Sequence, residues 1–228
     1  MCDDVRTGDI WIVNGRHVFL CGDVEQGALT ALARATGTGC DVVYTDPPWS
    51  AGNYKYWRTH AQRQGPSDWC AFLEALLSGI NTFNPYDIWI EMGISSSDVL
   101  RCARDILQLP YDTHYTVFYG NPRRPNHLVH FGAPVTSSAD GLYSEAVTRW
   151  AFGHFPHGAS TVLDPCVGRG MTARMAHRYG LTCYGIEINP RRLAQILAWF
   201  ARSPRCAHID CLVRGGHDDK PNAASHHS

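Results

Sequence analysis

Short β-branched and aromatic runs alternate with helical stretches along almost the whole chain, and this alternation restricts the fold more than any other feature. Val42-Val43-Tyr44-Thr45, Asp87 to Met92, Thr161-Val162-Leu163-Asp164 and Cys183 to Ile188 read as buried strands. Strands joined through helices pair in parallel, with the helices covering both faces of the sheet. The pattern therefore predicts an α/β fold: a mixed, mostly parallel sheet. With 228 residues, 44% of them hydrophobic, the chain can build one sizeable core. A single domain is expected over residues 1–213.

Asn14-Gly15 lies between Ile10-Trp11-Ile12-Val13 and His17-Val18-Phe19-Leu20-Cys21 and predicts a hairpin over about 8–23. A helix is expected from Glu25 to Ala35, closed by Gly37 and Gly39. Residues 50–68 are polar and read as a mobile loop. Further helices are expected at Ser67–Ile80, Ser96–Leu107, Ser144–Phe152, Met171–Tyr179 and from Pro190 to about Arg202. Tyr115 to Tyr119 reads as a strand that opens into a basic loop over 120–127, within a loop region of about 120–135, and Leu128 to Phe131 as a returning strand. The initial hairpin and the 115–131 region are the places for antiparallel strands. Residues 214–228 are rich in Gly, His, Asp, Asn and Ser and read as a disordered tail.

Two strand ends carry chemistry. Asp46-Pro47-Pro48-Trp49 follows the first buried strand, and its prolines stop the strand and stiffen the turn. Asp46 and the Pro47 carbonyl can both accept from one amine, while Trp49 stacks on the ring that bears it. Asp164-Pro165-Cys166-Val167-Gly168-Arg169-Gly170 is a strand, a glycine turn and then a helix, so backbone can approach a ligand closely. Glu187 ends the next strand, 23 positions beyond Asp164, where an acid can accept from both ribose hydroxyls. The loop lacks both the G-x-G-x-x-G of dinucleotide binders and the lysine of a P-loop, so the expected cofactor is a nucleoside without a pyrophosphate: S-adenosylmethionine.

Net charge is −1, so contact with nucleic acid must come from local basic patches. The nine cysteines are scattered without a C-x-x-C, and Met1-Cys2-Asp3-Asp4 lacks the pattern of a signal peptide. Together with the lack of a membrane-length apolar run, this leads us to expect reduced thiols, no membrane association and a cytoplasmic setting. Cys206, His208 and Cys211 lack an evident fourth ligand, so no metal is expected.

The two sites together resemble the DNA amino-methyltransferases of the β class, in which the catalytic motif precedes the cofactor loop. The resemblance covers most of residues 8–202: Phe19 to Asp23, Asp41 to Trp49, Val162 to Gly170 and Gly185 to Pro190 match four motifs in order. The opening Gly8-Asp9-Ile10-Trp11 is similar to methylases often found in phages and prophages. The resemblance implies a class I methyltransferase fold of permuted motif order. It also implies a catalytic role for Asp46, Pro47, Pro48 and Trp49, and cofactor contacts from Asp23, Asp164, Pro165, Cys166, Gly168, Gly170, Thr172, Glu187, Ile188 and Asn189. Cys166 and Arg169 replace the Phe and Ser usual in the family's loop. Where members carry Lys-Pro, this chain has Tyr143-Ser144-Glu145, so Ser144 becomes the expected hydroxyl for the cofactor's methionine end.

The implied reaction is methylation of the exocyclic amine of a flipped base in duplex DNA, adenine N6 being favoured over cytosine N4. Tyr54, Lys55, Tyr56, Trp57, Arg58, Arg63, Arg123 and Arg124 are the expected DNA contacts, on loops over about 50–68 and 120–135. The short stretch between Phe131 and Ser144 leaves no room for a target-recognition domain. A homodimer and a separately encoded restriction partner are compatible with the family. Two other readings stay open at this point: a methylase of RNA or nucleotides, and a catalytically weak subunit that binds nucleic acid or a partner methylase.

Overall fold

The computed structural model describes residues 4–37, 39–63, 68–93, 97–107, 109–120, 123–206 and 208–215. The hairpin pairs β1 (Ile10–Val13) with β2 (His17–Cys21), and its turn is closed by Arg16 N–H donating to the Val13 carbonyl at 3.2 Å. The expected helix from Glu25 is split. Asp23 caps a 3-10 turn over Val24–Gln26, Gly27 takes a left-handed φ of 83°, and α1 (Ala28–Thr36) begins afterwards. A left-handed residue cannot continue a helix, so the break holds Asp23 and Val24 at the sheet's edge.

β3 (Val42–Thr45) leads into the largest departure from expectation. Residues 51–60 form a helix, α2 (Ala51–His60), instead of a mobile loop; residues 64–67 of that stretch lie outside the described residues. Ser50 Oγ accepts from Asn53 N–H and starts the helix. Tyr54 and Arg58, four residues apart, share its buried side. Then follow α3 (Trp69–Asn81), capped by Asp68, and β4 (Asp87–Gly93) and α4 (Ser97–Ile106).

The second expected loop is also reduced. β5 (Tyr111–Tyr119) and β6 (Arg124–Phe131) form a hairpin, so Arg124 to Phe131 is strand and not basic loop. β6 pairs with β4 on its other side, from Asn126 onward. Pro125 falls just before that second pairing begins, where its missing N–H breaks no ladder. After a loop over 132–142 come α5 (Glu145–Phe152), β7 (Thr161–Asp164), α6 (Met171–Tyr179), β8 (Thr182–Glu187) and α7 (Pro190–Ala201). Asn189 caps α7 by accepting from Arg191 N–H. A ninth strand, β9 (Ile209–Val213), pairs with β1. Arg214 and Gly215, expected in a disordered tail, bond to the buried Asp9 carboxylate at 3.2 and 2.8 Å; residues 216–228 lie outside the described residues.

The strand order is β5-β6-β4-β3-β7-β8-β2-β1-β9. The five central strands, β4 to β2, are parallel, and antiparallel pairs close both edges. One face buries Val43, Ile88, Leu163 and Ile186 under α1 and α3. The other buries Val42, Tyr44, Trp89 and Val162 under α5, α6 and α7. Among the described residues, no helix is long and apolar enough to cross a membrane.

Candidate active site

The strand order reverses between β3 and β7: the chain leaves β3 toward β4 on one side and β7 toward β8 on the other. Open α/β sheets bind ligands in the crevice at such a point, beyond the strands' carboxyl ends. Asp46 follows β3 there and Asp164 ends β7. A cavity of about 600 Å³ opens at this place, the size of a small-molecule site.

Three walls surround it. The first is the Asp46 turn. Trp49 Nε1 donates to Asp46 Oδ1 at 2.8 Å, leaving the second carboxylate oxygen available to another donor. Trp69 Nε1 lies 3.4 Å from the Pro48 carbonyl, which it engages, while Pro47 is buried. The Asp46 side chain is open to the cleft, yet protein crowds it. That enclosure, with the negative charges of Glu91 and Asp164, raises its affinity for a proton well above the usual carboxylate range.

The second wall is the loop after β7. Asp164 accepts from Cys166 N–H at 3.0 Å; burial pushes its carboxyl up to about 6, partly opposed by Thr172. Pro165, Cys166, Gly168 and Thr172 line the cavity, as do Arg169 and Arg174. Gly170 has no side chain for a steric reason: a Cβ there would lie 2.8 Å from Ile196 of α7. Burial and nearby carboxylates hold the Cys166 thiol well above its usual range, so it stays protonated and is no nucleophile.

The third wall joins β8 to the 3-10 turn. Glu187 is buried and accepts from Asn189 N–H at 2.8 Å; burial pushes it up to about 7. Ile188 and Asn189 line the cavity beside it. Asp23 is also buried, its Oδ2 held by Arg58 Nη1 at 2.6 Å.

α2 lies across these walls. Arg58 also reaches Glu25 at 3.2 Å, and the Tyr54 hydroxyl donates to the same carboxylate. The Tyr54 ring stacks on Phe72, with centroids 4.4 Å apart. Trp57 lies under the Arg192 guanidinium at 3.9 Å, and Asn189 Nδ2 donates to the His60 carbonyl. Tyr54 and Arg58, expected on the DNA, are therefore interior parts of this site, because their side of α2 faces acids already buried at the sheet edge. Trp57 lines the same cavity. Lys55 and Tyr56 are exposed on the outer side. Arg63 is half-buried, and its Nε and Nη2 meet no hydrogen-bond partner.

Arg123 and Arg124 are exposed at the tip of the β5–β6 hairpin, Arg123 over the Tyr143 ring at 5.0 Å. Two expected cofactor contacts do not line the cavity: Gly170, which packs against α7, and Ser144, which precedes α5 and whose N–H bonds the Phe118 carbonyl. Sequence reasoning missed Arg169, Arg174 and the Trp49–Asp46 bond. A cation inside a glycine loop was the available signal for the first of these.

The reversed strand order and the two loops placed at it define the class I methyltransferase fold. No family model matches the sequence, and no curated protein matches it significantly. The likeness is three-dimensional. TTHA0409 from Thermus thermophilus, solved in complex with S-adenosyl-L-methionine, superposes with a TM-score of 0.58 at 17% identity, over 82% of this chain and 93% of that one. M1.HpyAVI superposes with a TM-score of 0.53 at 14% identity, over 79% and 96%. The PvuII DNA methyltransferase, cytosine-N4-specific, gives 0.57 at 11% identity, over 81% and 86%.

Proposed function

We propose that this protein is an S-adenosylmethionine-dependent DNA methyltransferase acting on the exocyclic amine of a flipped base, with adenine N6 as the target. The observation that carries this reading is the meeting of the Asp46 turn, the Asp164 loop and Glu187 around one cavity. TTHA0409 was solved with that cofactor, and PvuII methylates DNA at a base amine.

The cavity fits the cofactor. Glu187 and Asp23 put carboxylates on two sides, for ribose hydroxyls and the adenine amine, while Val24, Phe72, Ile186 and Ile188 supply apolar surface for the ring. Gly168 leaves room beside the loop backbone, and Arg169 and Arg174 provide positive charge for the amino-acid carboxylate, the part first given to Ser144. Bound there, the cofactor supplies an electrophilic methyl group on a sulfonium.

The chain's own residues do the rest. A base amine is a poor nucleophile because its lone pair is delocalised into the ring. The free oxygen of Asp46 and the Pro47 carbonyl accept from its two N–H bonds, which draws the nitrogen toward tetrahedral geometry and exposes the lone pair. This is catalysis by orientation and preorganised electrostatics. Flipping costs a few kcal/mol. Stacking on Trp49 returns roughly 1–3 kcal/mol. Lys55, Tyr56, Arg123 and Arg124, all exposed, serve the phosphates and grooves.

The PvuII likeness favours cytosine N4 as the second reading. The test is transfer of labelled methyl from S-adenosylmethionine to unmethylated duplex DNA, followed by digestion to nucleosides. Label in N6-methyladenine supports the proposal. Label in N4-methylcytosine replaces the base and keeps the chemistry. No label in duplex DNA overturns the proposal.

A further inference from the structure

A third carboxyl stands beside the amine acceptor. Thr45, the last residue of β3, is in parallel register with Ile90 of β4, so Asp46 leaves β3 beside Glu91, the residue after Ile90. That register brings the two carboxyls close enough for the Glu91 charge to raise the proton affinity of Asp46. Glu91 is 3% exposed. The Tyr44 hydroxyl donates to its Oε1 and lies 3.2 Å from Thr148 Oγ1. Its Oε2 meets no hydrogen-bond partner of good geometry, and the Tyr119 hydroxyl close to the carboxyl favours its charged form.

Among the described residues, the titratable groups facing Glu91 are Tyr44 from β3, Asp46 just after it, Tyr119 from β5 and Asp164 from β7, and none of these is a cation. A buried, unsatisfied carboxylate oxygen beside other acids is costly, and a proton on it removes the charge and makes a donor. Burial pushes Glu91 up to about 7. Two interacting carboxyls of this kind titrate as a pair.

We propose that Glu91 is a positioning residue that shares one proton with Asp46, so that the pair carries a single negative charge, held on the carboxyl that receives the base amine. The proposal rests on Asp46 being that receiver. As the N–CH3 bond forms and the S–CH3 bond breaks, with the sulfur keeping the electron pair, the amine proton passes to Asp46. The pair is then neutral, and it returns to one proton by releasing the other to water in the cleft. Without Glu91, Asp46 would be ionised over a wider range of pH. With Glu91 charged, Asp46 would be forced to hold a proton and could not accept.

The test is the titration of the Asp46 carboxyl carbon by NMR in aspartate-labelled protein, with Asp46→Asn assigning the signal. Glu91→Gln keeps the size and removes the charge. The Asp46 transition is expected to move to lower pH by roughly one unit or more. Tyr44→Phe, which removes the hydrogen bond favouring charged Glu91, should move it in the same direction by less, and stands in if Glu91→Gln fails to fold. The acid limb of the methyl-transfer pH–rate profile should move with it in Glu91→Gln. An Asp46 transition unmoved or raised in both variants overturns the proposal. So does an even loss of rate at every pH with the limb in place, which is what a structural role predicts. Absence of transfer by the unaltered protein would count against the proposed function, and the carboxyl titration would still decide the pairing.

Discussion

Trp49 donates its indole N–H to the carboxylate that precedes it by three residues, and that bond changes what its replacement should do. Phenylalanine keeps a flat face for stacking and loses the donor. Trp49→Phe is expected to lower kcat about tenfold, the effect of about 1.4 kcal/mol. Trp49→Ala should fall further, since stacking is lost as well. Rates for Phe equal to those of the unaltered protein would show that the bond is not used during transfer. Asp46→Ala is expected to reduce kcat by on the order of 10²–10³-fold, the size seen when one preorganised polar group is removed. Cofactor affinity, read by calorimetry, should stay intact, because the acids proposed to hold the nucleoside are Asp23 and Glu187, on another wall of the cavity. The types of these residues were legible because strand-end acids and Pro-Pro turns have few uses. The directions of Tyr54 and Arg58 were not, because a polar side chain reads as solvated until its buried partner is known.

α2 is the element that sequence patterning hid. A helix lying on a sheet face shows an apolar stripe; this one crosses the sheet's edge and buries only Tyr54 and Arg58. It is held by an ion pair with both partners almost fully buried, Arg58 with Asp23. Removing one partner of such a pair costs about 3 kcal/mol, because the other charge is left buried and unpaired. Arg58→Ala should therefore lower the melting temperature sharply and weaken cofactor binding. Adding Asp23→Asn should recover part of the stability and none of the binding. A single Arg58→Ala variant that melts normally would mean that α2 is not locked to the acid. β9 was missed for a related reason: its side chains are half exposed, so Ile209–Val213 carries little alternation, and its place is set by pairing with β1.

At the scale of the molecule, the cleft gathers carboxyls that folding makes harder to ionise. Glu91 and Glu187 are pushed up to about 7 and Asp164 to about 6, from 4.5 and 3.8. Through these three acids the folded state binds more protons than the unfolded one between roughly pH 4 and 7, so their contribution to stability falls as pH rises through that window. His17, pushed by burial down to about 3, contributes in the opposite sense. Melting curves of the ligand-free protein should show the melting temperature dropping from pH 5 to pH 7 and levelling above it. Glu187→Gln should flatten part of that slope while weakening cofactor binding. A slope left unchanged by Glu187→Gln would contradict the raised proton affinity of that acid in the folded state. For Asp164 and Glu187, which line the cavity, the cost fits a binding site.

The sequence by itself determined the α/β class, four of the five parallel strands and the two strand-end loops that line the cleft, because hydrophobic period and turn residues act locally along the chain; that β2 also pairs in parallel, with β8, was not legible from its hairpin. It also placed Asp46 and Asp164 at strand ends, and Glu187 at the end of the strand after Asp164. Only the tertiary structure decided which of those ends meet, since β3 and β7 are neighbours separated by more than a hundred residues. It turned Arg58 and Tyr54 inward, moved Ser144 off the site and set Glu91 beside Asp46. Those outcomes depend on strand register and on charges brought together through space, which no local pattern encodes.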